Sequence, residues 1–231
     1  VKDAAKISLK AIEEKYNNSH LIISGNHPLK VKDMLNMVRE IFQNKIEPTI
    51  IIAVFPLKWT VASIAPLFEI GVNLVIPSQR SIPSNLMDPK IKNRSRLFYL
   101  NANIEASLFK GKNNWALLLD DRGFIAEGSG DNFFIIKNKQ VITPRGVHIL
   151  RGISRDYVLE TLCSQLNIEK IEKDIEPYDV YSADEAFMTG TPFCMLPVTT
   201  LNNIKIRSGK RGKIFNKLLS TSSKNVEDDI E

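Results

Sequence analysis

The sequence predicts a mixed α/β protein built in two lobes, and three observations point there. Short β-branched apolar runs alternate with segments of helical periodicity. An irregular stretch with three prolines, Pro77 to Pro89, interrupts that alternation. Beyond it, strand-like runs come in pairs joined by turn sequences. Residues 1–84 are expected to form a small amino-terminal α/β lobe and residues 85–231 a larger carboxy-terminal one.

Taken in order, Asp3 to Lys15 has helical composition, and His20-Leu21-Ile22-Ile23 is a short apolar link. Val31, Met34, Leu35, Val38, Ile41 and Phe42 recur at helical spacing, so a helix is expected over residues 29–44, just after Pro28. Thr49 to Phe55 and Val72 to Ile76 are strands by their β-branched apolar content. After the linker, Leu97, Leu100, Ile104, Leu108 and Phe109 share one helical face, which Gly111 ends. Trp115 to Leu119 and Phe124 to Ala126 flank the turn Asp120-Asp121-Arg122-Gly123 as a hairpin. A second hairpin joins Phe133–Ile136 to Val141-Ile142 through Asn138-Lys139. A helix over Ser154–Leu166 turns Val158, Leu159, Leu162 and Leu166 inward. Strands at Glu185–Met188 and Met195–Val198 follow, and a last helix covers Lys213–Leu219 before a serine-rich, acidic end expected to fray.

The bulk composition narrows the function classes. A chain of 231 residues with 43% hydrophobic and 25% charged residues suits a soluble globular protein. No apolar run nears the roughly 20 residues of a membrane span, and the first residues lack a secretory pattern, so a cytoplasmic location without membrane contact is expected. Cys163 and Cys194 have neither zinc nor disulfide spacing and are expected to be free, buried or half-buried thiols, with no metal. The net charge of +5 is dispersed among acidic residues, which predicts a solvated surface and no nucleic-acid partner.

Chemistry concentrates at three turns: Glu127-Gly128-Ser129-Gly130, Leu150-Arg151-Gly152-Ile153-Ser154, and Thr189-Gly190-Thr191. Glycine permits close approach of a ligand, and a helix opening after Gly152 would present free amides and the Ser154 hydroxyl to a phosphate. Each glycine taken alone is better explained as an ordinary turn or helix entry, and the plain alternative for Glu127 is an exposed carboxylate at a hairpin end. Convergence of the three is what would make a phosphate seat with a carboxylate beside it.

The phrases Glu127-Gly128-Ser129-Gly130-Asp131-Asn132-Phe133-Phe134, Thr143-Pro144, Ile149-Leu150-Arg151-Gly152-Ile153-Ser154-Arg155, Ala183-Asp184-Glu185 and Thr189-Gly190-Thr191-Pro192 resemble, in order and spacing, the class IV aminotransferases. That family includes branched-chain and D-amino acid aminotransferases and aminodeoxychorismate lyases. The resemblance implies the two-lobe fold of D-amino acid aminotransferases, pyridoxal 5′-phosphate as cofactor, an amino acid and a 2-oxo acid as substrates, and a homodimer. The branched-chain branch is the favoured substrate class, and a lyase acting on aminodeoxychorismate or a non-catalytic cofactor-binding paralogue are the alternatives.

By the same resemblance Lys92, thirteen residues before Glu105-Ala106, is the Schiff-base lysine, with Lys90 the second choice and a surface lysine the plain alternative. Glu127 pairs with the pyridine nitrogen, Leu150 packs on the ring, and Gly152, Ile153, Ser154, Gly190 and Thr191 seat the phosphate. Thr191 and Pro192 fall in the loop that meets the substrate carboxylate, where Pro192, lacking an N–H, removes one donor. Arg155 is left out, as a structural ion pair. Two departures stand out. The tyrosine usual five residues after the lysine is Leu97 here, with Tyr99 offset. The amino-terminal lobe lacks the His-Leu-x-Arg-Leu phrase and the arginine that follows it, so it is expected to be incomplete. Because the chain begins with Val1, the sequence leaves open whether that lobe is short in nature or only in this chain.

Overall fold

The computed structural model describes residues 21–22, 29–30, 62–93 and 95–230. The chain divides into two compact units, Leu57–Ser222 and a second made of Val1–Pro56 with Ser223–Glu231. In the second, β1 (Leu21–Ile22) and β2 (Leu29–Lys30) pair antiparallel, so a strand occupies the first two positions of the helix expected over 29–44. The remainder of that helix, the helix near residues 3–15 and the strand over 49–55 lie outside the described residues.

The larger unit is a ring of strands wrapped by helices. A short helix α1 (Leu67–Ile70) leads through Gly71, at φ 75°, into β3 (Val72–Val75). After the irregular segment come α2 (Leu97–Ser107), β4 (Asn114–Leu119), β5 (Ile125–Gly128), β6 (Asn132–Lys137) and β7 (Gln140–Thr143). A continuous helix follows as α3 (Ile153–Asp156), a π-helical stretch Tyr157–Leu162, and α4 (Cys163–Gln165). Then come β8 (Lys170–Glu172), α5 (Pro177–Tyr181), β9 (Glu185–Gly190), β10 (Cys194–Leu201), β11 (Ile204–Lys205) and α6 (Lys213–Ile230), whose residues from Ser223 onward belong to the second unit. Among the described residues no helix is long and apolar enough to cross a membrane.

Nine strands share one sheet in the order β11-β10-β3-β4-β5-β6-β7-β8, and β9 bonds both β10 and β6. That double pairing closes β3, β4, β5, β6, β9 and β10 into a barrel, with β7 and β8 extending from β6 and β11 from β10. β3 lies ahead of the proline-bearing linker yet pairs parallel with both β4 and β10. The compact unit therefore begins before residues 77–89 rather than after them.

Period-two alternation sorts the core. Leu117, Leu119, Phe133, Ile135, Met188, Leu196 and Val198 form one cluster with Val72 and Leu74. Their neighbours in sequence, Phe134, Ile136, Phe187 and Met195, form another under Val158, Leu162, Phe215 and Leu218 of the helices. Phe134 and Phe187 stack at 4.7 Å and 4° between planes. Fully burying side chains of this size contributes roughly 1.5–3 kcal/mol each.

Two helices differ from expectation. On α2 the buried residues are Ala102 and Ala106, packed on Val75, Ala116 and Leu118, while Leu97, Leu100, Ile104 and Leu108 are exposed. Small side chains let the helix sit close to the strands, and this closeness selects the face. The last helix continues to Ile230 instead of fraying after Leu219. Glu185 accepts the Ile214 and Phe215 amides at 3.0 and 2.8 Å, fixing its start. Ser220 and Thr221 donate to the Lys217 carbonyl at 3.0 and 2.9 Å, so these hydroxyls are satisfied within the helix.

Candidate functional site

Glu127 stands near the end of β5, 7% exposed. Tyr99 donates its hydroxyl to Oε1 at 2.9 Å, while the Leu150 amide (3.0 Å) and the Asn132 side-chain amide (3.2 Å) donate to Oε2. Burial pushes the Glu127 carboxyl up to about 7; the Tyr99 and Leu150 hydrogen bonds pull against it, Asp131 adds to it, and Arg96 offsets it.

Asn132, the first residue of β6, sits opposite Glu127 in the β5–β6 register. Its amide also donates to the Leu150 carbonyl at 2.8 Å, so one side chain ties the carboxylate to the turn that opens α3. Its oxygen occupies the position a side chain at residue 152 would take. The close approach that requires Gly152 is therefore the approach of Asn132, not a need for positive φ, since Gly152 is extended at φ −72°, ψ 140°. Among the described residues no side chain caps this helix start, which leaves the Ile153 and Ser154 amides without an intrahelical acceptor. Arg155, 3% exposed, donates to Glu172 at 2.7 Å and to the Pro144 carbonyl at 3.2 Å. It pins α3 to the preceding loop, the structural role that kept it out of the predicted site.

At the end of β9, Gly190 leads into a tight turn in which the Phe193 amide donates to the Gly190 carbonyl at 3.2 Å. A Cβ at residue 190 would lie 2.8 Å from the Phe193 ring and 3.1 Å from Asp131 Oδ1, so two neighbours require the glycine. Phe193 is in turn set edge-on against Trp115 at 5.9 Å.

These elements surround one cleft of about 450 Å³. Lys92 reaches it from the coil ahead of α2, Glu127 from β5, Leu150, Gly152, Ile153 and Ser154 from the helix entry, and Gly190 with Thr191 from β9. All eight cofactor-binding candidates therefore line the same space. Pro192 does not line it and is exposed in the turn. Lys90 is also outside the cleft, paired with Asp88 at 2.8 Å.

Several cleft residues were not singled out from sequence. Tyr99 and Asn132 are direct partners of Glu127. Asp131 is a second carboxyl, pushed up to about 7 by burial against the pull of the Gly130 amide and of Arg96. Thr189 lines the cleft with its hydroxyl buried and without a hydrogen-bond partner among the described residues. The hairpin spacing could have found Asn132, because a two-strand turn through Ser129-Gly130 sets residue 132 opposite residue 127. Nothing in the local pattern marks Tyr99, noted above only as an offset tyrosine, as a partner of Glu127, because the contact spans 28 positions.

The protein family described as amino-transferase class IV matches residues 18–201 of this chain. The branched-chain-amino-acid aminotransferase of Pseudomonas aeruginosa is 43% identical over 103 residues, which cover 45% of this chain and 33% of that protein. The crystal structure of the Escherichia coli branched-chain amino acid aminotransferase aligns with a TM-score of 0.65 at 28% identity, over 69% of this chain and 52% of that one. The branched-chain amino acid aminotransferase of T.th., solved with pyridoxamine 5′-phosphate, aligns with a TM-score of 0.64 at 30% identity, over 68% and 51%. The chain thus spans about half the length of these solved relatives, and less of the Pseudomonas protein. With a family match across most of its length and the family's motifs assembled around one cleft, this chain belongs to the class IV aminotransferases.

Proposed function

We propose that the cleft binds pyridoxal 5′-phosphate and that the protein transfers an amino group between an amino acid, with branched-chain side chains favoured, and a 2-oxo acid. The observation that carries this reading is Glu127: a buried carboxylate held by three donors, on the same cleft as Lys92 and an uncapped helix start. The names of the similar proteins and the pyridoxamine 5′-phosphate of one solved relative support the substrate class and the cofactor.

The residues fit such a group. Among the described residues Oε2 of Glu127 has two donors, but Oε1 has only Tyr99, so one acceptor position stays open for the N–H of a pyridine ring. The first-turn amides of α3 need an acceptor, and a phosphate supplies one. The cofactor, when bound, contributes a conjugated ring that withdraws the electron pair left at the substrate α-carbon.

The chain's own residues do the rest. Glu127 would hold a proton on the nitrogen of a bound ring, and a cation beside it would favour the ionised carboxylate despite burial. Asn132 fixes Glu127 and the Leu150 turn relative to one another, so a ring and its phosphate would be held by a single framework. Ile153 and Ser154 would offer their amides, and Ser154 its hydroxyl, to the phosphate; Thr191 would add a hydroxyl and Leu150 would pack on the ring. Lys92 would provide the amine that holds the cofactor and, once the substrate's own amine has displaced it, the base for the substrate α-proton. On the family's pattern, the working form is a cytoplasmic homodimer.

The test adds pyridoxal 5′-phosphate to the purified chain, then leucine, isoleucine or valine with 2-oxoglutarate. A visible absorbance band that these amino acids bleach, with glutamate formed, supports the proposal. A protein that stays colourless in excess cofactor refutes it. Colour that no amino acid alters selects the non-catalytic paralogue, and pyruvate release from aminodeoxychorismate selects the lyase.

A further inference from the structure

Arg96 lies on the cleft one helical turn ahead of Tyr99, half-buried at the start of α2. Its guanidinium donates to the Ser129 carbonyl, in the turn that joins Glu127 to Asn132. The same group lies over the Tyr99 ring, 4.5 Å from the centroid, and the Phe98 ring sits 4.0 Å from that of Tyr99. A cation over an aromatic face is attracted by the ring quadrupole, and a planar guanidinium can make that contact while keeping its edge for hydrogen bonds. Tyr99 is thereby held with its hydroxyl on Glu127 Oε1.

We propose that Arg96 is a positioning residue for Glu127: anchored to the Ser129 carbonyl and laid over the Tyr99 ring, it keeps the Tyr99 hydroxyl on the carboxylate. This deepens the functional reading above, in which Glu127 partners the ring nitrogen, but every contact invoked lies within the protein. Arg96 acts chiefly through Tyr99. The Tyr99 hydrogen bond lowers the Glu127 carboxyl more than the direct charge of Arg96 does.

The other titratable or charged groups around Glu127 are Asp131 from the turn before β6, Lys92 and Arg151 along the cleft walls, and His148 in a neighbouring pocket that Glu127 and Tyr99 also line. An imidazole ordinarily changes charge near neutral pH, so the readout must be the Glu127 carboxyl itself. In cofactor-free protein labelled with ¹³C-carboxyl glutamate, that resonance is the one missing from Glu127→Gln, and its midpoint is followed by NMR.

Wild type is expected to titrate at about 7. Arg96→Met should raise the midpoint by about one pH unit, a tenfold change in the ionised-to-neutral ratio. Tyr99→Phe should raise it similarly, and Arg96→Met should add little on the Tyr99→Phe background. Arg96→Lys, which keeps the charge but loses the planar stack, should fall between wild type and Arg96→Met. An unchanged midpoint in Arg96→Met, or a shift undiminished on the Tyr99→Phe background, overturns the proposal. Should Arg96→Met fail to fold, a wild-type midpoint in Arg96→Lys overturns it instead. If these midpoints move as stated while pyridoxal 5′-phosphate produces no colour, the functional reading fails and the role of Arg96 stands.

Discussion

Replacing Glu127 with Gln should stabilise the cofactor-free protein at pH 8 and, under the proposed function, weaken binding of pyridoxal 5′-phosphate. A carboxyl raised from 4.5 to about 7 by burial corresponds to roughly 3 kcal/mol between its two protonation states. The sign follows from the direction. With its folded value above its unfolded one, Glu127 contributes fully below pH 4.5, and that contribution is lost as pH rises through 7. Gln does not titrate, and its amide can serve the same partners: its oxygen accepts from Leu150 and Asn132, and its nitrogen donates to the Tyr99 oxygen. Asp131, also raised to about 7, titrates in both proteins and largely cancels. Urea unfolding followed by circular dichroism at pH 4.5 and pH 8 reads the difference. The variant should match wild type at the lower pH and exceed it by up to about 3 kcal/mol at the higher. Cofactor affinity should fall at least about tenfold, the scale of one lost charge-assisted hydrogen bond. A stability difference that stays constant between the two pH values would refute the buried-carboxyl reasoning.

Two further substitutions probe the framework around that carboxylate. Gly152→Ala places a methyl group on Asn132 Oδ1, so the Asn132 amide must leave Leu150 and Glu127; a loss of about 1–3 kcal/mol in urea unfolding is expected. Gly130→Ala is its control, because a Cβ there finds only Arg96 at 3.8 Å, and it should unfold close to wild type. Glu172→Gln leaves the buried Arg155 guanidinium facing a neutral acceptor and should cost about 1–3 kcal/mol. That loss should be much smaller when tested on an Arg155→Met background.

How far the fold could be read from sequence depended on the range of the interactions. The two hairpins were legible because alternation and turn residues are local: Leu117 and Leu119 face one side, Ala116 and Leu118 the other, and Asn138 and Lys139 take the positive φ that a tight hairpin turn needs. Closure of the barrel was not legible. It rests on β9 lying between β6 and β10, and on β3 joining from across the linker, and no local pattern encodes either pairing. The inward face of α2 was obscured for a different reason. Leu97, Leu100, Ile104 and Leu108 dominate the hydrophobic pattern, but the packing contact is made by Ala102 and Ala106, where closeness of the backbones matters more than side-chain size.

The candidate site divided along similar lines. The glycines at 152 and 190 marked the right turns, yet the groups that require them are Asn132, Phe193 and Asp131, all within the protein. Glu127 stood out in sequence as a carboxylate flanked by glycine, but its burial and its elevated carboxyl arise in a pocket walled by Tyr99 and Leu150, 28 and 23 positions away. A motif shows that the backbone turns there; only the assembled contacts show what the turn holds.

Under the proposed function, Lys92 is the amine that receives the cofactor. Incubating the chain with pyridoxal 5′-phosphate, reducing with borohydride and mapping the pyridoxyl group by peptide mass spectrometry tests it most directly. The expected result is a single modified site at Lys92, with no label in Lys92→Ala. Label at Lys90, or scattered over surface lysines and unaffected by Lys92→Ala, would rule Lys92 out.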